Sequence, residues 1–183
     1  MMRTKWKCWI VIAVCFPLSV FAETQSPNGA ACKVDTIQAP IQFFARGFHK
    51  GWKPIDQKQY QNGTWWKTAE IWHSRVQRTF VEMWILDDPG AGDWAQRIDY
   101  CFDRAGKTLW IDSRFNSADS DSRIEHLTLN SAGTVVLRDV SCLNHDNQMR
   151  PADEKCQDAQ AFSIVRHWQD FQFIDKANRN TSH

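Results

Sequence analysis

The chain has 183 residues, six cysteines and a formal net charge of +1, from 22 Lys and Arg against 21 Asp and Glu. A balance so near zero excludes a general electrostatic attraction to nucleic acid or anionic lipid. The length suits a single domain able to bury a real core.

The chain opens with a basic stretch, Arg3 to Lys7, followed by an apolar run from Cys8 to Phe16. Pro17 to Ala22 then supplies a helix breaker, with Val20 and Ala22 at the two positions that a signal peptidase reads. This layout predicts a secretory signal peptide over residues 1–22, cleaved after Ala22, and a secreted or periplasmic protein. The apolar run is shorter than the roughly 20 residues that a membrane span needs, so no integral span is expected after cleavage. Ile12-Ala13-Val14-Cys15 has the outline of a lipidation motif, but Val14 is bulkier than the small residue expected before a lipidated cysteine. Removing residues 1–22 leaves 161 residues, 19 basic side chains against 21 acids, and a net charge of −2.

Cleavage also removes Cys8 and Cys15, leaving Cys32, Cys101, Cys142 and Cys156. An even set in an exported protein predicts two disulfides. The polar segment Leu143 to Lys155 reads as a loop that Cys142–Cys156 closes, worth about 3 kcal/mol in the chain-entropy model. Cys32–Cys101 then ties the N-terminal region to the sheet. Cys142 and His145, followed by Cys156 and His167, have ligand types suited to zinc, but the spacing fits no familiar finger. No metal or cofactor is expected.

Residues 23–35 read as a flexible lead-in, and a single domain spans 36–175. Ile37, Ile41, Phe44 and Phe48 recur at intervals of four, three and four, which predicts a helix over Pro40–Lys50 ended by Gly47 and Gly51. Trp52 to Lys67 reads as a loop with a turn at Asn62-Gly63; Asn62-Gly63-Thr64 is also a glycosylation sequon in a eukaryotic host. Aromatic and β-branched residues predict a strand over Trp65–Trp72. Arg75 to Leu86 is apolar on both faces and reads as a central strand. Asp87 to Asp93 is a turn-rich loop, and a further strand covers Trp94–Phe102 with Ile98, Tyr100 and Phe102 on one face. Two similar hairpins follow, turning at Asp103–Gly106 and at Asn130–Gly133, where glycine accepts the positive φ that closes the turn. The loop Asn116 to Ser122 lies between them. Ala159–Ile174 fits both helical and strand periods, and residues 176–183 read as a disordered tail.

The expected fold class is α+β, with an N-terminal helix packed on a curved antiparallel meander of about six strands. This layout resembles that of the sheet-plus-helix domains typified by nuclear transport factor 2, and that of cystatin-like domains. The resemblance is one of architecture alone and implies no activity.

The sequence holds no nucleophile elbow, zinc-protease motif or phosphate loop. Glu82, in the most apolar strand, is the foremost acid–base candidate, with Arg97 and Asp99 two apart on the next strand and Asp112 and Arg114 on the return. Ion pairing across a wet sheet face accounts for the same residues structurally. The histidines form no recognisable ligand pair, and Glu70-x-x-His73 has metal spacing only on a helix. Trp65 and Trp66 point to a binding surface, since adjacent strand residues face opposite sides. The leading expectation is therefore an exported, non-enzymatic binding or accessory protein whose partner is a protein, a glycan or a lipid. One alternative is a small enzyme with a helix–sheet pocket around Glu82. Another is a secreted inhibitor or immunity-type protein that presents Asp87–Asp93 or Leu143–Lys155.

Overall fold

The computed structural model describes residues 32, 42–47, 50–74, 78–86, 92–118, 121–146, 148–152, 156 and 160–174. The proposed signal peptide, nearly all of the lead-in and the tail lie outside the described residues. Among the described residues nine antiparallel strands form one sheet. In chain order they are β1 (Gln42–Arg46), β2 (Trp52–Ile55), β3 (Lys67–His73), β4 (Thr79–Leu86), β5 (Trp94–Phe102), β6 (Thr108–Ser117), β7 (Ser122–Leu129), β8 (Val135–Leu143) and β9 (Met149–Pro151). The spatial order is β2-β1-β3-β4-β5-β6-β7-β8-β9, so only the first hairpin departs from a simple meander.

The α+β expectation is overturned by this sheet. Gln42 to Arg46, inside the predicted helix, is a strand paired on one side with β2 and on the other with β3. Phe43 and Phe44 explain the choice. On a strand they point to opposite faces, and each finds a ring: Phe43 meets Tyr60 at 4.9 Å and Phe44 meets Phe173 at 5.0 Å between centroids. A helix would place both on neighbouring parts of one side and leave Gly47 and Gly51 to weaken it. Pro40, Ile41, Phe48 and His49 of that prediction lie outside the described residues. The likeness in layout to nuclear transport factor 2 and cystatin domains falls with the helix.

Helical structure occurs instead where a loop was expected. Helix α1 (Gln57–Asn62) starts from a capping box in which the Asp56 carboxylate accepts from the Gln59 N–H at 2.7 Å and Gln59 Oε1 accepts from the Asp56 N–H at 3.1 Å. The predicted strands near β3, β4 and β5 are present, β5 with the same bounds as expected. Gly106 and Gly133 close the two predicted hairpins with φ of 85° and 75°. A third turn of the same kind, Asn144 to Gln148, introduces β9 inside the segment read as a loop.

The two sheet faces have different covers. On one face, Phe44, Ile71, Val81, Ile98, Tyr100, Phe102, Ile111 and Leu127 form the main core together with Val165, Phe171, Phe173 and Ile174 from the C-terminal segment. On the other, Cys32, Phe80, Cys101 and Trp110 form a smaller core. Disulfides join Cys32 to Cys101 and Cys142 to Cys156, the pairings expected from the sequence. Among the described residues no helix is long and apolar enough to cross a membrane.

Candidate functional site

Residues 160–174 form a strap across the main-core face. The strap is neither one continuous helix nor a strand of the sheet; among the described residues its regular structure is a 3-10 turn at Trp168–Asp170 and helical residues at 172–174. Its backbone polar groups are satisfied by side chains and a hairpin of the sheet instead of a ladder. Gln96 Nε2 donates to the Gln160 carbonyl at 3.1 Å and to Ser113 Oγ at 2.8 Å. The Tyr100 hydroxyl donates to the Ser163 carbonyl at 3.1 Å, and Thr108 Oγ1 donates to the Val165 carbonyl. Burial pushes the Tyr100 phenol well above its ordinary range, which keeps it a neutral donor. Further along, the Trp168 N–H donates to the Gly106 carbonyl at 3.0 Å, and His167 Nε2 donates to the Ala105 carbonyl at 2.8 Å. Phe171 and Phe173 then stack at 4.8 Å and carry the strap to Phe44 and Trp52.

Beside the strap, where it has passed over β5 and β6, an open cleft of about 500 Å³ remains. Its floor is Arg123, Glu125 and Leu127 of β7 with Val135 and Arg138 of β8; its wall is Gln160, Ala161, Phe162 and Ile164 of the strap. Glu125 is a buried acid on the core face, 6% exposed. Arg138 Nε lies 2.9 Å from its Oε1, and Arg123 Nε lies 3.9 Å from its Oε2. A carboxylate taken from water at that depth needs such partners, because burial without them costs several kcal/mol. Arg123 and Arg138 reach Glu125 differently. The Arg123 side chain is 16% exposed, whereas that of Arg138 is 61% exposed.

The opposite face gathers the residues expected to carry chemistry. Strand register sets Glu70, Glu82, Asp99, Asp112, His126 and Asp139 in one row across β3 to β8, each directly opposite the next. Like charges at opposed positions repel, and the surroundings offset this. Arg97 Nη2 lies 3.0 Å from Glu82 Oε2, and the Arg97 fork takes both oxygens of Asp99 at 3.0 and 2.8 Å. Trp84 Nε1 donates to Glu82 Oε1 at 2.8 Å. His126 Nδ1 pairs with Asp112, and its Nε2 lies 3.1 Å from Thr128 Oγ1. At the row's end Glu70 hydrogen-bonds Tyr60, whose phenol is pushed far up by burial first and by that carboxylate second. Glu82, Arg97 and Asp99 thus meet, as the enzyme alternative requires, but they meet as an ion-pair network, and none of them lines the cleft.

Trp65 and Trp66 precede β3 and are half-buried. Trp65 Nε1 donates to the Gln59 carbonyl at 3.1 Å, and Lys53 Nζ sits 5.0 Å from its ring centre. Neither tryptophan reaches the cleft. Among the described residues no group of three or more His, Cys, Asp and Glu is placed to hold a metal ion. The loop Asp87–Asp93 lies largely outside the described residues.

Sequence reasoning missed Arg123, Glu125 and Arg138. A signal existed in β7, where alternation places Arg123 and Glu125 on the same face as Leu127 and Leu129. An acid and a base on an otherwise apolar face mark either a buried ion pair or a polar spot in a cleft. Compared with known proteins, the chain matches no family model, no curated protein and no solved structure.

Proposed function

We propose that the protein is an exported, non-enzymatic binding protein that holds a small ligand in the cleft between β7, β8 and the strap. The observation that carries this reading is the cleft itself. At about 500 Å³ it falls in the size range of small-molecule sites, and it joins apolar walls to a few fixed polar groups. Leu127, Val135, Phe162 and Ile164 supply the apolar surface, and Arg138 and Glu125 the polar one. Export is supported by the signal-like N-terminus and agrees with two disulfides, which persist in oxidising compartments. The acid row supports catalysis less well, because its central carboxylates are neutralised by Arg97 and screened by Trp84.

Anilinonaphthalene sulfonate, an apolar fluorophore with one anionic group, tests the site. Saturable binding at one site is expected, weakened about tenfold or more in Ile164→Glu, which sets a charge on the apolar wall. Ile164 is 49% exposed, so the variant retains the fold. Absence of saturable binding, or equal binding by the variant, would refute the cleft as a ligand site.

A further inference from the structure

The geometry points to a ligand class for this cleft: a monocarboxylate amphiphile, with its head on Arg138 and its apolar body along Leu127, Phe162 and Ile164. This rests on the reading of the cleft as a binding site.

The head group follows from how the arginines are committed. Glu125 is held from both sides, by Arg123 and by Arg138, and Arg138 approaches it most closely through Nε. Among the described residues no second acid reaches Arg138, so its two terminal nitrogens face the cleft and solvent with their hydrogens unassigned to protein. A guanidinium presents paired N–H groups along its edges, and a planar carboxylate matches such an edge with two parallel hydrogen bonds. The 2.9 Å ion pair with Glu125 holds the Arg138 guanidinium at the cleft. Arg138 offers one open guanidinium edge, which one carboxylate fills, and a second negative charge on the ligand would be repelled by Glu125.

The body follows from the wall. Ile164 is half-exposed on an apolar wall that it shares with Phe162 and faces Leu127 and Val135 of the floor. A purely polar ligand would leave this surface wet, and a purely apolar one would leave the Arg138 fork unmatched.

Calorimetric titration of the full mature chain with three probes of equal chain length, each below its micelle concentration, tests the assignment. The probes are dodecanoate, dodecanol and dodecyltrimethylammonium. Dodecanoate is expected to bind about tenfold more tightly than dodecanol, the effect of one charge-assisted hydrogen-bonded contact, and the cationic probe more weakly than either. In Arg138→Gln the preference of dodecanoate over dodecanol is expected to shrink to within about twofold, with Arg138→Lys intermediate because it keeps the charge and loses the fork. Circular dichroism of each variant checks that the sheet is retained. Equal binding of all three probes, with Ile164→Glu still weakening it about tenfold or more, would overturn the carboxylate assignment and leave the cleft standing. Dodecanoate binding that Ile164→Glu does not change would overturn the cleft reading itself.

Discussion

Single residues decide how each sheet face tolerates its charges. Arg97 stands between Glu82 and Asp99, which the β4–β5 register sets directly opposite each other. Replacing Arg97 with Gln removes the cation that stands between the two carboxylates, and a loss of about 1–3 kcal/mol is expected for these partly buried groups. The double variant Glu82→Gln with Arg97→Gln removes the repulsion as well and is expected to recover part of that loss. Urea denaturation of the four members of the cycle measures this. A double-variant loss equal to the sum of the two single losses would show that Glu82 and Arg97 do not interact. Glu125 differs in kind. Its neutralising partners come from its own strand and from the next one, so its position on the core face is stable only once β8 has paired. That dependence is why the sequence did not reveal it: alternation within β7 is visible, whereas the register that brings in Arg138 is not.

At the scale of elements, hairpin chemistry was the most legible feature. Asp103 and Asn130 each start a turn, and each side chain accepts from the backbone N–H four residues on, at 2.8 and 3.0 Å. Asn144 does the same to Gln148 at 2.8 Å, but no glycine follows it in the sequence at the spacing of the other two turns, so the pattern reads as loop. Strand β5 was legible from its alternation, and both disulfides from cysteine parity and spacing. Strand β1 was not, because Ile37, Ile41, Phe44 and Phe48 have helical spacing while the segment also fits a strand whose two faces are both covered. The strap was ambiguous for a physical reason: its backbone partners lie 57 to 64 residues away on β5 and β6. Gly106 joins these two elements. It adopts φ of 85°, and a Cβ there would lie 2.4 Å from the His167 ring. Gly106→Ala is therefore expected to cost about 1–2 kcal/mol from the left-handed backbone alone, and more from displacing His167. It should also raise hydrogen exchange at the Trp168 N–H, which donates to the Gly106 carbonyl. Unchanged exchange at Trp168 would mean that the hairpin does not anchor the strap.

At the scale of the whole molecule, the sheet is covered from both ends of the chain. Cys32, near the N-terminal end of the described residues, is fixed to Cys101 on the acid-row face, while the C-terminal strap covers the main core. The Cys142–Cys156 bond holds Cys156 against β8, where Cys142 is the register partner of Arg123. The strap crosses β5 and β6 and then returns to β1 and β2, so β7 and β8 keep an open floor, and the cleft is the consequence of that path. Backbone NMR of the isotopically labelled mature chain titrated with dodecanoate tests this account most directly. The account predicts saturable shift changes confined to the floor and wall of the cleft, centred on Leu127, Arg138, Phe162 and Ile164. Changes centred instead on Trp65 and Trp66, or on the Glu82–Asp99 row, with the cleft unmoved, would contradict it.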